Sequence, residues 1–322
     1  MQAQQSTFRR PDGVGVHLFH WTPDAGVPVR GVVQILHGLA EHGARYARFA
    51  EALTAAGWVV VADDHRGHGK TAADATQLGH FGDHGGFEAV VDDLVAIGES
   101  VRIPGLPWVV FGHSMGSTLA LHLLKRVGGL ASAAVLTGPT GQVGPIRKIG
   151  AVVARLERLR LGRRGRSHLL HQMSFGDFNK PFKPARTPMD WLSRDPIEVD
   201  KYVADPACGF VVTAQFWCDL LPGLEAMYDD GFVSAVASGP PMLVLAGDQD
   251  PVGGFGKQVR AYFDRLRAAG HGALDVVLYP EARHELLNET HRDVVTDDIL
   301  RWLDRRVPRP DAQRDLAGAS LP

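Results

Sequence analysis

The run Gly112-His113-Ser114-Met115-Gly116 sets a serine between two glycines in the spacing G-x-S-x-G. It follows the apolar segment Trp108-Val109-Val110-Phe111 directly, and a helical pattern runs on from Met115 to Val127. A strand that turns sharply into a helix holds such a serine above a sheet with its hydroxyl exposed. The flanking glycines permit the tight turn and the close approach of strand to helix. A serine hydroxyl is a weak nucleophile. It needs a base within hydrogen-bond reach and an acid that orients the base.

In this arrangement the chain order is serine, acid, histidine. The run MLVLAGDQD reads as a strand ending in Asp248 and Asp250, and either acid satisfies the order. The strand DVVLYP and the loop Glu281-Ala282-Arg283-His284 follow, which puts His284 on a loop before a helix. His271, before the final strand, and His291, inside the expected last helix, are the rival bases. Attack on an ester carbonyl builds charge on oxygen, and two backbone N–H groups commonly hold it. Met115, the residue after the serine, supplies one. The segment VVQILHGLAEHG offers the other at Leu39.

Other chemistry finds less support. His284-Glu285-Leu286-Leu287-Asn288 fails the zinc pattern H-E-x-x-H at its second histidine. His65 and His68 in DDHRGHGK lack matched ligands nearby and read as loop hydrogen-bonders beneath the oxyanion turn, with Glu41 and His42 as further scaffolding. Gly69-Lys70-Thr71 resembles the end of a phosphate loop, but Asp64 stands where the first glycine is needed. No strand-bound G-x-G-x-x-G appears, so a dinucleotide site has no support. No metal and no organic cofactor is implied.

The elements that must position these residues alternate. Val32-Val33-Gln34-Ile35-Leu36, Trp58 to Ala62, Trp108 to Phe111, Ala133 to Leu136, Met242 to Ala246 and Asp275 to Tyr279 read as strands covered on both faces. Helical patterns lie between several of them, at Arg45 to Ala56, Gly86 to Val101, Met115 to Val127 and Phe255 to Ala269. Alternation of this kind predicts a parallel sheet with helices on both sides. Thr7 to Arg10 and Val16 to Trp21 predict an antiparallel hairpin at the edge, and Glu285 to Arg306 the last helix. The alternation stops over 141–238, which reads as a cap inserted between core segments 1–140 and 239–308. Residues 309–322 carry no periodicity and read as a disordered tail.

The 322 residues carry 34 Lys plus Arg against 36 Asp plus Glu, a formal charge of −2. That balance argues against a nucleic-acid partner. The two cysteines, Cys208 and Cys218, read as free thiols, and neither looks catalytic. No apolar run approaches the ~20 residues of a membrane span, and the first residues lack an apolar signal core. A cytoplasmic protein is the expectation, with peripheral membrane contact through the cap as a variant. Within the cap, basic residues run from Arg147 to Arg166 with Glu157 the one acid among them, and Ile146, Ile149, Val153 and Leu156 recur at helical spacing. Such a helix either packs its apolar stripe on the core, the reading the sequence favours, or lies on an anionic lipid surface. Phe175, Phe178, Phe182, Trp191, Phe210, Phe216 and Trp217 either line an acyl tunnel or form the cap's own core.

Taken together, HGLAEHGARY at 37–46, DDHRGHGKT at 63–71, GHSMGS at 112–117, GDQDPV at 247–252, ARHELLNE at 282–289 and the cap segment WLSRDPIEVDKYVADPACG at 191–209 resemble the monoacylglycerol lipases and related lysophospholipases of the α/β-hydrolase fold. The resemblance covers roughly residues 10 to 306. It implies that Asp250, rather than Asp248, completes the triad with Ser114 and His284, and it supports Leu39 and Met115 as oxyanion donors. The chain departs from the family at Ser117, where glycine is common. The implied reaction is ester hydrolysis through an acyl-enzyme, on a monoacylglycerol, a lysophospholipid or a short-chain ester. A non-catalytic lipid-binding protein of the same fold is the reading from another class.

Overall fold

The computed structural model describes residues 1–140 and 146–308, with side-chain surroundings from residue 149 onward in the second segment. The tail expected over 309–322 lies outside the described residues.

Eight strands form one sheet in the order β1-β2-β4-β3-β5-β6-β7-β8. They are β1 Gln2–Arg9, β2 Gly15–Thr22, β3 Gly31–Leu36, β4 Trp58–Asp63, β5 Trp108–His113, β6 Ala133–Thr137, β7 Met242–Gly247 and β8 Leu274–Tyr279. The expected hairpin is present as β1 and β2, and β2 also pairs antiparallel with β4. Every other pairing is parallel. The α-helices are α1 Ala47–Ala55, α2 Gly86–Val101, α3 Met115–Val127, α4 Ile146–Leu161, α5 His168–Phe175, α6 Pro196–Ala204, α7 Ala214–Ala226, α8 Asp230–Ala237, α9 Lys257–Ala268 and α10 Arg292–Arg306. The helical cap is inserted between β6 and β7. One of the helices in that interval, α8, packs instead against α3 and α9 beside the sheet.

The apolar runs are continuous because the central strands are covered twice, and alternate residues serve opposite faces. On β5, Trp108 and Val110 join the core built by α2, α3, α8 and α9. Val109 and Phe111 join the core under α1 and α10. Burying one such side chain contributes about 1.5–3 kcal/mol, so a one-residue slip of β5 would lose much of both cores. β8 differs from its neighbours. It is the sheet edge, its burial is partial, and Val277 is exposed.

Three helix starts are displaced, and for two of them side chains or backbone signs explain it. The last helix begins at Arg292 rather than Glu285. Residues Leu286–Asn288 form a 3₁₀ turn, and the buried Glu289 carboxylate collects the N–H groups of Arg283, Arg194 and Thr290 at 3.0, 3.0 and 2.9 Å. His291 therefore precedes the helix instead of lying in it. The helix expected from Phe255 begins at Lys257, since Phe255 and Gly256 both have left-handed φ, 57° and 77°. Likewise Arg45 sits in a 3₁₀ turn, Gly43–Tyr46, ahead of α1.

Candidate active site

Ser114 stands between β5 and α3 with φ 53° and ψ −118°. A non-glycine residue there stores about 1–3 kcal/mol of backbone strain. Close packing holds the turn: a Cβ on Gly116 would stand 2.0 Å from the carbonyl oxygen of Leu36. Only glycine lets α3 start this near β3. Ser117, the departure from the family pattern, fits without loss. Its hydroxyl donates toward the carbonyls of Gly112 and Thr137, at 2.9 and 3.2 Å.

His284 and Asp250 come from two loops that leave β8 and β7. Nδ1–H of His284 donates to Oδ2 of Asp250 at 2.9 Å, and both side chains are buried. The other carboxylate oxygen of Asp250 accepts the N–H of Val252 at 2.9 Å. That pairing leaves Nε2 of His284 as the unprotonated nitrogen. Burial works against a charged imidazole here, but the Asp250 carboxylate outweighs it and raises the His284 pKa above its ordinary value. Gly138, with φ 52°, makes room for the ring: a Cβ there would lie 2.9 Å from the His284 carbonyl oxygen and 3.0 Å from Nδ1. Trp191 of the cap packs its ring 5.2 Å from that of His284.

The structure separates the rivals. Asp248 accepts the N–H of Glu281 at 2.8 Å and serves the turn, while Asp250 faces the histidine. His291 bonds Arg194 at 2.8 Å and His271 lies in the loop before β8, and neither lines the cavity that Ser114 and His284 share.

Leu39 and Met115 line that cavity beside Ser114. Met115 opens α3, so its N–H has no acceptor within the helix. The turn carrying Leu39 is held from three sides. Glu41 accepts the N–H of Gly38 at 2.5 Å and the Tyr46 hydroxyl at 2.9 Å. Ala40, with φ 55°, offers its carbonyl to the Tyr202 hydroxyl at 3.0 Å and to the N–H of Gly209 at 2.9 Å. From beneath, the His65 N–H donates to Nε2 of His37 at 3.0 Å, and His65 Nε2–H donates to the His37 carbonyl at 3.1 Å. His65 Nδ1–H meets the Asp63 carboxylate at 2.6 Å. Burial disfavours charge on His65, yet Asp63 more than offsets it and raises its pKa. Both ring nitrogens face acceptors, as an imidazolium requires, so positive charge is favoured below the turn. The scaffolding read for His65 and Glu41 agrees with these contacts, His42 bonds Asp205 of the cap through Nε2 at 2.9 Å, and His68 bonds the carbonyl of Arg66 at 3.0 Å within its own loop.

One participant was not found from the sequence. Arg45 donates to Glu41 at 2.6 Å and to both oxygens of Glu285 at 2.8 and 2.7 Å. Burial opposes the charge on Glu285, but the guanidinium prevails and holds that carboxyl well below the usual range. The spacing Glu41-x-x-x-Arg45 marks a pair one turn apart, yet nothing local announces Glu285.

The cavity encloses about 790 Å³. Its upper wall belongs to the cap, and Phe175, Phe178, Trp191, Phe210 and Trp217 line it. Phe216 lies fully buried in the core below, and Phe182 packs under Arg283 at 4.2 Å. The cap aromatics thus divide between a tunnel wall and packing.

A family model described as "Serine aminopeptidase, S33" matches residues 27–291. The chain is 31% identical over 302 residues to a monoacylglycerol lipase of Mycolicibacterium smegmatis, across 93% of this chain and 96% of that one. Among solved structures, a highly thermostable carboxyl esterase from Bacillus coagulans in complex with glycerol superposes with a TM-score of 0.85 at 31% identity, over 96% of this chain and 100% of that one. A soluble variant of monoglyceride lipase from Saccharomyces cerevisiae, in complex with a substrate analog, shares the fold at a TM-score of 0.75 and 19% identity, over 96% and 97% of the two chains. With a family model spanning most of the chain and relatives matched over nearly their whole length, the chain belongs to the α/β-hydrolase superfamily, in its monoacylglycerol lipase and esterase-like family.

Proposed function

We propose that this protein hydrolyses monoacylglycerols through an acyl-enzyme. Ser114 is the nucleophile, His284 the base and then the acid, and Asp250 the group that fixes the imidazole tautomer and stabilises its cation. His284 Nε2 takes the serine proton as Oγ attacks the ester carbonyl. The N–H groups of Leu39 and Met115 hold the oxyanion. The imidazolium then protonates the departing glycerol oxygen. Water, deprotonated by His284, releases the fatty acid and restores the serine.

One observation carries the substrate reading. Ser114 and His284 open onto a cavity of about 790 Å³ whose described lining contains neither lysine nor arginine. A lysophospholipid brings a phosphate, whose charge an arginine or lysine holds best, whereas an uncharged glycerol ester needs no cation. Peptidase action at a free N-terminus calls for an available carboxylate, and both glutamates in the wall, Glu41 and Glu285, are engaged by Arg45. The M. smegmatis relative, described as a monoacylglycerol lipase, supports the same reading.

The cap surface suits a substrate held in lipid. Ile149, Val152, Leu156 and Leu159 stand outward on α4, with Leu159 77% exposed. Of the stripe read from the sequence, Val153 packs on the core, whereas Ile149 and Leu156 face out, and Ile146 lies outside the described side chains. On α5, the exposed Met173 also lines the cavity. With Arg155, Arg163 and Arg164 exposed nearby in the chain, this face matches an interfacial helix rather than a solvated one. None of the described helices is long and apolar enough to cross a membrane.

The test is fatty-acid release from a monoacylglycerol chain-length series, beside lysophosphatidylcholine and short p-nitrophenyl esters, for wild type and Ser114→Ala. Preference for monoacylglycerols, lost by several orders of magnitude in the folded variant, supports the proposal. Activity confined to short esters would keep the triad and replace the substrate with a small ester. A wild-type protein that neither turns over any ester nor reacts with a fluorophosphonate at Ser114 would be a lipid-binding protein instead.

A further inference from the structure

Outside the ester-cleaving groups, three side chains of metal-binding type converge at the seam between core and cap. A ring nitrogen of His42, a carboxylate oxygen of Asp205 and Sγ of Cys208 lie within 4.8 Å of one another. Two of them already touch, His42 Nε2 against Asp205 Oδ2 at 2.9 Å. The loop that carries the other two is a tight turn. Asp205 caps it by accepting the N–H of Ala207 through Oδ1 at 2.8 Å, and its carbonyl accepts the N–H of Cys208 at 3.0 Å. Cys208 is buried, while the Asp205 side chain is 34% exposed, which gives an ion a way in from solvent.

We propose that His42, Asp205 and Cys208 form a binding site for a borderline-soft divalent cation, zinc first, which clips the oxyanion turn to the cap. The donor set N, O and S is the one zinc favours, with three protein ligands and a fourth position left to water. Tetrahedral zinc brings neighbouring N and S ligands to about 3.5 Å, so closure needs movements of an ångström or so. On binding, the S–H bond of Cys208 breaks, its proton leaves to solvent and the sulfur–zinc bond forms.

The position gives the site a consequence. His42 lies two residues after Ala40, and Cys208 precedes Gly209, whose N–H donates to the Ala40 carbonyl at 2.9 Å. An ion therefore reinforces the backbone link between that turn and the cap loop. Its role is structural, and ester cleavage does not run through it.

The experiment uses the full chain, reduced, with Cd²⁺ and Zn²⁺ as probes. Wild type is expected to bind one Cd²⁺ with a sulfur-to-cadmium charge-transfer band in the ultraviolet, and Zn²⁺ should displace it. Cys208→Ser should lose the band, while Cys218→Ser keeps it. His42→Ala and Asp205→Asn should weaken binding by about a hundredfold or more, at or beyond the upper end of what losing an outer partner of a metal site costs. Circular dichroism confirms that each variant is folded, and Zn²⁺ should raise the melting temperature of wild type and Cys218→Ser but not of Cys208→Ser. Absence of the band in wild type, its survival in Cys208→Ser, or unchanged affinity in both His42→Ala and Asp205→Asn would overturn the site. Because Ser114→Ala keeps all three ligands, the same titration on that variant separates this inference from the ester-hydrolase reading.

Discussion

Arg45 and Glu285 face each other through two parallel hydrogen bonds of 2.8 and 2.7 Å, 240 residues apart in the chain. Glu285 follows the candidate base, and Arg45 also holds Glu41, which fixes the turn at Gly38. The base loop and the oxyanion turn are therefore tied to one buried guanidinium.

Removing that cation leaves two buried carboxylates uncompensated. Arg45→Met should cost about 3–5 kcal/mol of stability, read by urea denaturation. Adding Glu285→Gln should recover part of it, since one stranded charge is then gone. A loss below about 1 kcal/mol, typical of an exposed pair, would show that the network carries little.

The pH profile follows from the base. His284 must be neutral to accept the serine proton, and Asp250 raises its pKa. The acid limb of kcat/KM on a soluble ester should therefore have its midpoint above the ordinary imidazole value of about 6.5. Residual activity of Asp250→Asn should show that limb shifted to lower pH, because the largest upward pull on the imidazole is then gone and only the smaller ones of Glu285 and Glu41 remain against burial. A wild-type midpoint at or below the ordinary value contradicts the assignment of His284.

Gly138→Ala tests the room beside the ring. Its new methyl would press on the carbonyl and Nδ1 of His284 at 2.9 and 3.0 Å. Misplacing a catalytic group by about 1 Å costs on the order of a hundredfold, so kcat should fall by about that much with KM little changed. Wild-type kcat in this variant would mean that the loop yields freely.

The outward face of α4 predicts a split between substrates. Leu156→Ser with Leu159→Ser should leave turnover of a short soluble ester unchanged and slow cleavage of vesicle-borne monoacylglycerol. Each leucine forgoes up to about 1.5–3 kcal/mol of apolar burial, so vesicle partitioning should drop by tenfold or more in a flotation assay. Failure of wild type to bind anionic vesicles would end the lipid-surface proposal.

Much of the core was legible because its signals are local. Continuous apolar runs identified six strands within a residue or two, and Gly86–Val101 and Met115–Val127 appear at the expected bounds. The G-x-S-x-G turn could be placed because strand, glycines and helix adjoin in the chain. The helix starts at Lys257 and Arg292 were less legible, since backbone sign at Phe255 and the N–H groups gathered by Glu289 decide them. The α4 stripe was legible only in part, for a related reason. Helical spacing shows that apolar residues share a face, but it does not say whether a neighbour covers that face.

By itself the sequence determined the strand–helix alternation, the serine at its sharp turn and the order in which acid and base follow it, all consequences of short-range pattern and backbone stereochemistry. It left two acids, Asp248 and Asp250, within a single turn, and resemblance rather than residue chemistry preferred the second. Only the tertiary structure turned Asp250 to His284, set Arg45 between Glu41 and Glu285, and brought His42 to Asp205 and Cys208. Asp250 and His284, Arg45 and Glu285, and His42 and Asp205 are separated by tens to hundreds of residues, and only the stacking of strands, loops and cap decides which side chains share a buried space.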